Sequence, residues 1–135
     1  MPIEIDHLGI AVPNLVQALA FYEGQLGMVA ASKEAVPSEQ VNVAMLPAGD
    51  GDAAPRIELL EPAGADSVIA KFVAKRGPGL HHIALKVDDL QASVERLKAS
   101  GARLLNEPRE GAGGHLYVFV HPQSTGGVLL ELIQR

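Results

Sequence analysis

Apolar and polar positions change period along the chain, and the changes mark out its elements. Ile3–Val12 alternates with a period of two, as a half-buried strand does. Leu15, Leu19, Tyr22 and Leu26 then recur at helical spacing, with Asn14 as the predicted N-cap and Gly27 as the stop. Three strand-like runs follow, at Met28–Ala35, Val41–Leu46 and Arg56–Glu61. A second helical pattern, "ADSVIAKFVAKRG", has Asp66 as its expected cap and Val68, Ile69, Phe72 and Val73 as its apolar stripe. Alternation returns at Leu80–Val87. A helix capped at Asp88/Asp89 then turns Leu90, Val94 and Leu97 inward and ends at Gly101. The last strand runs are Ala102–Asn106, His115–Val120 and Val128–Gln134.

The chain is written twice. "IDHLGIAVPNL" (5–15) matches "LHHIALKVDDL" (80–90) at an offset of 75 (82 − 7), which superposes His7 on His82. "RIELLEP" (56–62) matches "LLELIQR" (129–135) at an offset of 73 (131 − 58), which superposes Glu58 on Glu131. The loop "PAGDGDAAP" in the first copy corresponds to the shorter "PQSTGGV" in the second, so the change of offset falls in a loop. The predicted class is α+β: two tandem βαβββ modules, residues 1–64 and 78–135, joined by a linker helix at 65–77 within one domain spanning 1–135.

Composition changes this picture little but removes several functions. At 135 residues, 47% apolar, the chain can bury a core without staples. No cysteine is present, which excludes disulfides, thiolate metal ligands and a cysteine nucleophile. A net charge of −5 argues against a nucleic-acid partner or an anionic membrane surface. No apolar run is long enough to span a bilayer and the N-terminus lacks a basic leader, so the expected location is the cytoplasm.

The candidate chemistry lies where polar residues interrupt apolar strands. Glu131 sits inside "VLLELI", where an ionised carboxylate is costly unless it is paired or metal-bound. A single strand glutamate more often lies on a wet sheet face, and a single strand histidine is more often structural. The repeat changes that weighting. Equivalent positions in a two-fold arrangement converge about one axis, bringing His7, Glu58, His82 and Glu131 together. This mixed imidazole–carboxylate set suits a divalent metal, and without a thiolate it favours an open, chemically active site over a purely structural one. Alternation turns His81 away from His82. His115, expected to be exposed, and His121, in a turn, are not candidate ligands.

On these residues the chain resembles the vicinal oxygen chelate superfamily of glyoxalases, extradiol dioxygenases, antibiotic-resistance proteins and methylmalonyl-CoA epimerases. "IDHLGIAV", "IELLEP", "DSVIAKFVAKRGPGLHHIALKVDDL", "NEPREGAGG" and "HPQSTGGVLLEL" are most similar to the epimerases. The resemblance implies a U-shaped sheet around a metal cleft and a homodimer. It also implies a divalent ion, cobalt first and zinc, manganese or nickel as alternatives, on His7, Glu58, His82 and Glu131. The implied reaction is inversion of C2 of methylmalonyl-CoA through an enediolate, with Glu131 also the acid/base. Some epimerases carry a second glutamate in the third strand, but the matching position here is Val43, beside Asn42. Lys71, Lys75, Arg76 and Arg109 are candidate contacts for the CoA anion, and "GAGG" (111–114) is either an anion-binding loop or a flexible one. The alternatives are a glyoxalase I-type lactoylglutathione lyase, an extradiol dioxygenase, which Glu58 as a fourth ligand disfavours, and a metal-free binding protein of the resistance type.

Overall fold

The computed structural model describes residues 3–111 and 114–135. Its elements run β1 (Glu4–Ala11), α1 (Leu15–Leu19, continued by a π-helical turn over Ala20–Gln25), β2 (Ser32–Val36), β3 (Val41–Pro47), β4 (Arg56–Pro62), α2 (Val68–Arg76), β5 (Gly79–Val87), α3 (Leu90–Ala99), β6 (Arg109–Glu110), β7 (Leu116–Val120), α4 (Pro122–Thr125) and β8 (Leu130–Gln134). The α+β class and the repeated βαβββ order are those the sequence predicts. The chain forms two compact units, one of His7–His81 and the other of Met1–Asp6 with His82–Arg135.

Within the first unit the strand order is β2-β3-β4-β1, with β1 parallel to β4 and the other pairs antiparallel. Strand alternation sorts this sheet into two faces. Ile10, Val12, Ala44, Leu46, Ile57 and Leu59 face α1, where Leu15, Leu19 and Tyr22 complete one apolar cluster. Ala11, Val41, Val43 and Leu60 face the other way and pack with Ile69, Phe72 and Val73 of α2. In the second unit the order is β5-β8-β7-β6, again with its first and last long strands, β5 and β8, parallel. Val87, Val118, Val120 and Leu132 pack beneath Leu90 and Val94 of α3.

Several boundaries differ from those predicted, each for a local reason. Leu26 is 58% exposed rather than inward, because the π turn adds a residue and rotates the positions beyond it. The cap of α2 is Ser67, whose Oγ accepts the Ala70 N–H at 2.8 Å, and not Asp66. Val68 is therefore the first helical residue, and it faces solvent at 68% exposure. β2 begins at Ser32 rather than Met28, since Met28 and Ala30 are drawn into the cluster beneath α1.

The predicted strand Ala102–Asn106 is reduced to an isolated bridge from Leu104 to Val120. Asn106 ends the pairing by using its side chain in place of the backbone: Oδ1 accepts the Phe119 N–H at 2.8 Å. Pro108 then removes a donor, and pairing resumes only at Arg109. β8 starts at Leu130 because Gly126 and Gly127, both at positive φ, turn the chain after α4. Residues 112 and 113 of the "GAGG" segment lie outside the described residues.

Candidate metal centre

The register of the parallel strand pairs is identical in the two modules. Gly9 pairs with Glu58 across β1 and β4, and Ala84 pairs with Glu131 across β5 and β8. His7 and His82 stand two residues before Gly9 and Ala84, so alternation puts each histidine on the face of its glutamate. The small residue opposite each glutamate leaves the space between imidazole and carboxylate open.

The side chains meet accordingly. His7 Nε2 lies 3.5 Å from Glu58 Oε1, and His82 Nε2 lies 3.4 Å from Glu131 Oε1. His7, His82 and Glu131 are buried and Glu58 is partly buried. These separations exceed the roughly 2.7–2.9 Å of a charge-assisted hydrogen bond. They approach the spacing of two donors on one ion, since ligands about 2.1 Å from a metal at tetrahedral to octahedral angles lie roughly 3.0–3.4 Å apart. His7, Glu58 and His82 are each donors that could hold a metal ion. The donor set of nitrogen and carboxylate oxygen, without sulfur, fits a borderline divalent cation.

The surroundings differ between the modules. Phe119 is the cross-strand partner of Glu131, and its ring meets His82 edge-on with centroids 5.9 Å apart. Tyr117, two residues earlier on the same face, packs edge-on against Phe119 at 5.8 Å. In the first module the corresponding wall is aliphatic: Met45 pairs with Glu58, and Val43 pairs with Leu60. Val43 thus occupies the face of Glu58 but carries no ionisable group.

The remaining histidines have other partners. His81 is half-buried and meets the ring of Phe72 edge-on at 4.9 Å, on the side away from His82. His121 caps α4 by accepting the Gln123 N–H on Nδ1 at 2.9 Å. His115 is half-buried rather than exposed, and its carbonyl accepts the Gly111 N–H. Lys71, Lys75, Arg76 and Arg109 are all exposed.

A second repeated pair was not visible in the hydrophobic pattern. Glu61 Oε2 accepts the backbone N–H of Leu15, and Gln134 Oε1 accepts that of Leu90, each at 2.7 Å. The offset of 73 that superposes Glu58 on Glu131 also superposes Glu61 on Gln134, and this was the signal that could have found them. Each lies three residues beyond its glutamate and so on the opposite face, where it fastens the strand to the first turn of the helix.

A repeated βαβββ frame with one His–Glu pair per module defines a recognisable class. Residues 6–119 match the model of the Glyoxalase/Bleomycin resistance protein/Dioxygenase superfamily, and the chain belongs to that superfamily. Within it, the chain is 40% identical to the mitochondrial methylmalonyl-CoA epimerase of Homo sapiens, over 96% of this chain and 73% of that protein. It is 39% identical to the ethylmalonyl-CoA/methylmalonyl-CoA epimerase of Cereibacter sphaeroides, over 96% of both chains. Among solved structures it resembles a substituted form of the Streptomyces coelicolor methylmalonyl-CoA epimerase in complex with 2-nitronate-propionyl-CoA. The TM-score there is 0.88 and the identity 37%, over 97% of this chain and 96% of that one.

Proposed function

We propose that the protein is a metal-dependent epimerase that inverts C2 of methylmalonyl-CoA. The observation that carries this reading is the His–Glu pair built twice in equivalent register, in a chain 39–40% identical over 96% of its length to epimerases of that substrate and only 30% identical to a lactoylglutathione lyase over a similar span. His7, Glu58, His82 and Glu131 together hold one divalent ion, cobalt in the first instance. When bound, such an ion supplies a Lewis acid for the thioester and carboxylate oxygens of the substrate and lowers the cost of negative charge beside C2.

The chain's own residues do the rest. His7 and His82 present Nε2 atoms as donors, and both side chains are buried. Glu131 handles the C2 proton. Ala84 and Phe119 flank it in register and the strand around it is apolar, so its carboxylate meets the substrate in a dry setting where general acid–base transfer is efficient. Removal of the proton leaves an enediolate, and return of a proton to the other face inverts the centre. The supporting frame extends to a homodimer in the cytoplasm, the arrangement the family resemblance implies. The net charge of −5 favours a small-molecule partner over nucleic acid or membrane.

The test is incubation of one methylmalonyl-CoA epimer with cobalt-loaded protein in D₂O, followed by NMR of the C2 proton and chiral analysis. Deuterium entering C2 as the epimers equilibrate is the expected result. No exchange at C2, with turnover of a methylglyoxal–glutathione hemithioacetal in its place, overturns the reading in favour of a lactoylglutathione lyase.

A further inference from the structure

The second module holds its histidine between a carboxylate and an aromatic ring. Glu131 Oε1 lies 3.4 Å from His82 Nε2, and the Phe119 ring meets the imidazole edge-on, its plane at 88° to it and the centroids 5.9 Å apart. Phe119 stands on β7 and reaches His82 of β5 across β8, the strand that carries Glu131. Behind it, Tyr117 meets Phe119 edge-on at 5.8 Å. Gly111 lies against Tyr117 so closely that a Cβ there would be 3.2 Å from two carbons of the ring. One line of contact thus runs from Gly111 through two aromatic rings to the imidazole.

This line is separate from the module's apolar core. The buried cluster of Val87, Leu90, Val94, Val118, Val120 and Leu132 lies on the α3 face of the sheet. Tyr117 and Phe119 are half-buried and alternate with Val118 and Val120, so they face the other way, with Glu131. The chain has only three phenylalanines and two tyrosines, and two of those five rings stand in line behind one imidazole.

A ring there meets a definite physical need. The χ2 torsion of histidine is broad, so its attachment to a strand does not by itself aim Nε2. A donor keeps its direction only when packing around it locks the rotamer. A rigid ring set nearly perpendicular to the imidazole blocks its rotation, which a flexible side chain does not. The equivalent strand positions of the first module are aliphatic. Met45 is opposite Glu58 where Phe119 is opposite Glu131, and Val43 stands where Tyr117 does. Methionine, unbranched and with three rotatable bonds, adapts to its neighbours and does not fix them.

We propose that Phe119, backed by Tyr117, is a positioning residue for His82, fixing the direction in which Nε2 is presented to the ion; this rests on the metal site of the epimerase reading above. The modules repeat the donors but not their support.

The experiment titrates cobalt into metal-free wild type, Phe119→Leu, Phe119→Tyr, Tyr117→Leu and Met45→Leu, without substrate. Affinity and the visible ligand-field bands of the bound ion are read together, with circular dichroism as the check on folding. Phe119→Leu is expected to weaken cobalt binding by about 10-fold and to shift the bands, because the imidazole is no longer held to one direction. Phe119→Tyr keeps the ring and should stay near wild type in both readouts. Tyr117→Leu should move both in the direction of Phe119→Leu by a smaller amount, and Met45→Leu should leave both unchanged. Unchanged affinity and bands in folded Phe119→Leu overturn the assignment. So does an equal change in Met45→Leu, which would make the effect one of packing in general. If Phe119→Leu does not fold, Tyr117→Leu decides, and wild-type affinity and bands in that variant overturn the assignment. A wild type that takes up no cobalt removes the metal site and the assignment with it. Because no substrate enters the titration, failure of the epimerase assay in D₂O leaves this comparison intact.

Discussion

Gln134 Oε1 accepts the backbone N–H of Leu90 at 2.7 Å, repeating in the second module the bond that Glu61 makes to Leu15 in the first. Both donors belong to the first residue of a helix, where backbone N–H groups have no partner within the helix. A strand side chain therefore satisfies the helix end and fixes the helix on the face opposite the His–Glu pair.

Replacing either acceptor by leucine leaves that N–H short of a partner, with an expected cost of about 1–3 kcal/mol in urea unfolding. Glu61→Gln should cost less than Glu61→Leu, since a glutamine already makes the equivalent bond in the other module. Glu61→Leu with Gln134→Leu should sum to within about 0.5 kcal/mol, because the two bonds share no partner.

Two neighbouring histidines should separate cleanly on substitution. His82→Ala is expected to abolish stoichiometric metal uptake. His81→Ala should leave uptake intact and lose only the edge-on contact with Phe72, worth about 0.5–1.5 kcal/mol of stability. Equal metal loss in the two variants would show that the strand does not present His82 to the ion as described.

Glu131→Gln keeps an oxygen donor but removes the proton carrier. Epimerisation should fall by about 10²- to 10⁴-fold with metal content largely retained, measured by chiral turnover beside elemental analysis. Wild-type turnover in this variant would sink the acid/base role of Glu131.

Glu23 offers a check on the π turn. The backbone N–H of Ala30 and then the ammonium of Lys33, bonded at 3.1 Å each, hold its carboxyl below the ordinary glutamate range. A carboxyl whose folded pKa is depressed adds stability above its unfolded value and loses that contribution as pH falls toward the folded one. Lys33→Met should move the Glu23 midpoint upward in an NMR titration while leaving part of the depression, because the Ala30 bond remains.

The repeat made most of the fold legible in the sequence. It marked out both βαβββ modules and singled out four polar residues whose side chains do meet as two pairs, His7 with Glu58 and His82 with Glu131. The features it did not reveal depend on side chains replacing backbone. Asn106 occupies the place of a ladder bond, so a strand predicted from its apolar residues stops short. Ser67 takes the cap from Asp66 one residue earlier, a choice set by local geometry that both residue types satisfy equally well. The π turn shifts Leu26 outward without disturbing the spacing of the letters. Glu61 and Gln134 were hidden by their chemical difference, since a carboxylate and an amide do not look like one position until the shared acceptor role is seen.

The central claim is that two modules, each holding one His–Glu pair, share a single ion. It is tested most directly by metal stoichiometry on protein purified without chelator and reloaded with cobalt, comparing wild type, His7→Ala, His82→Ala and the double variant. One ion per chain in wild type, lost in either single variant, is the predicted result. Two ions per chain, or half-occupancy in each single variant with complete loss only in the double, would contradict it.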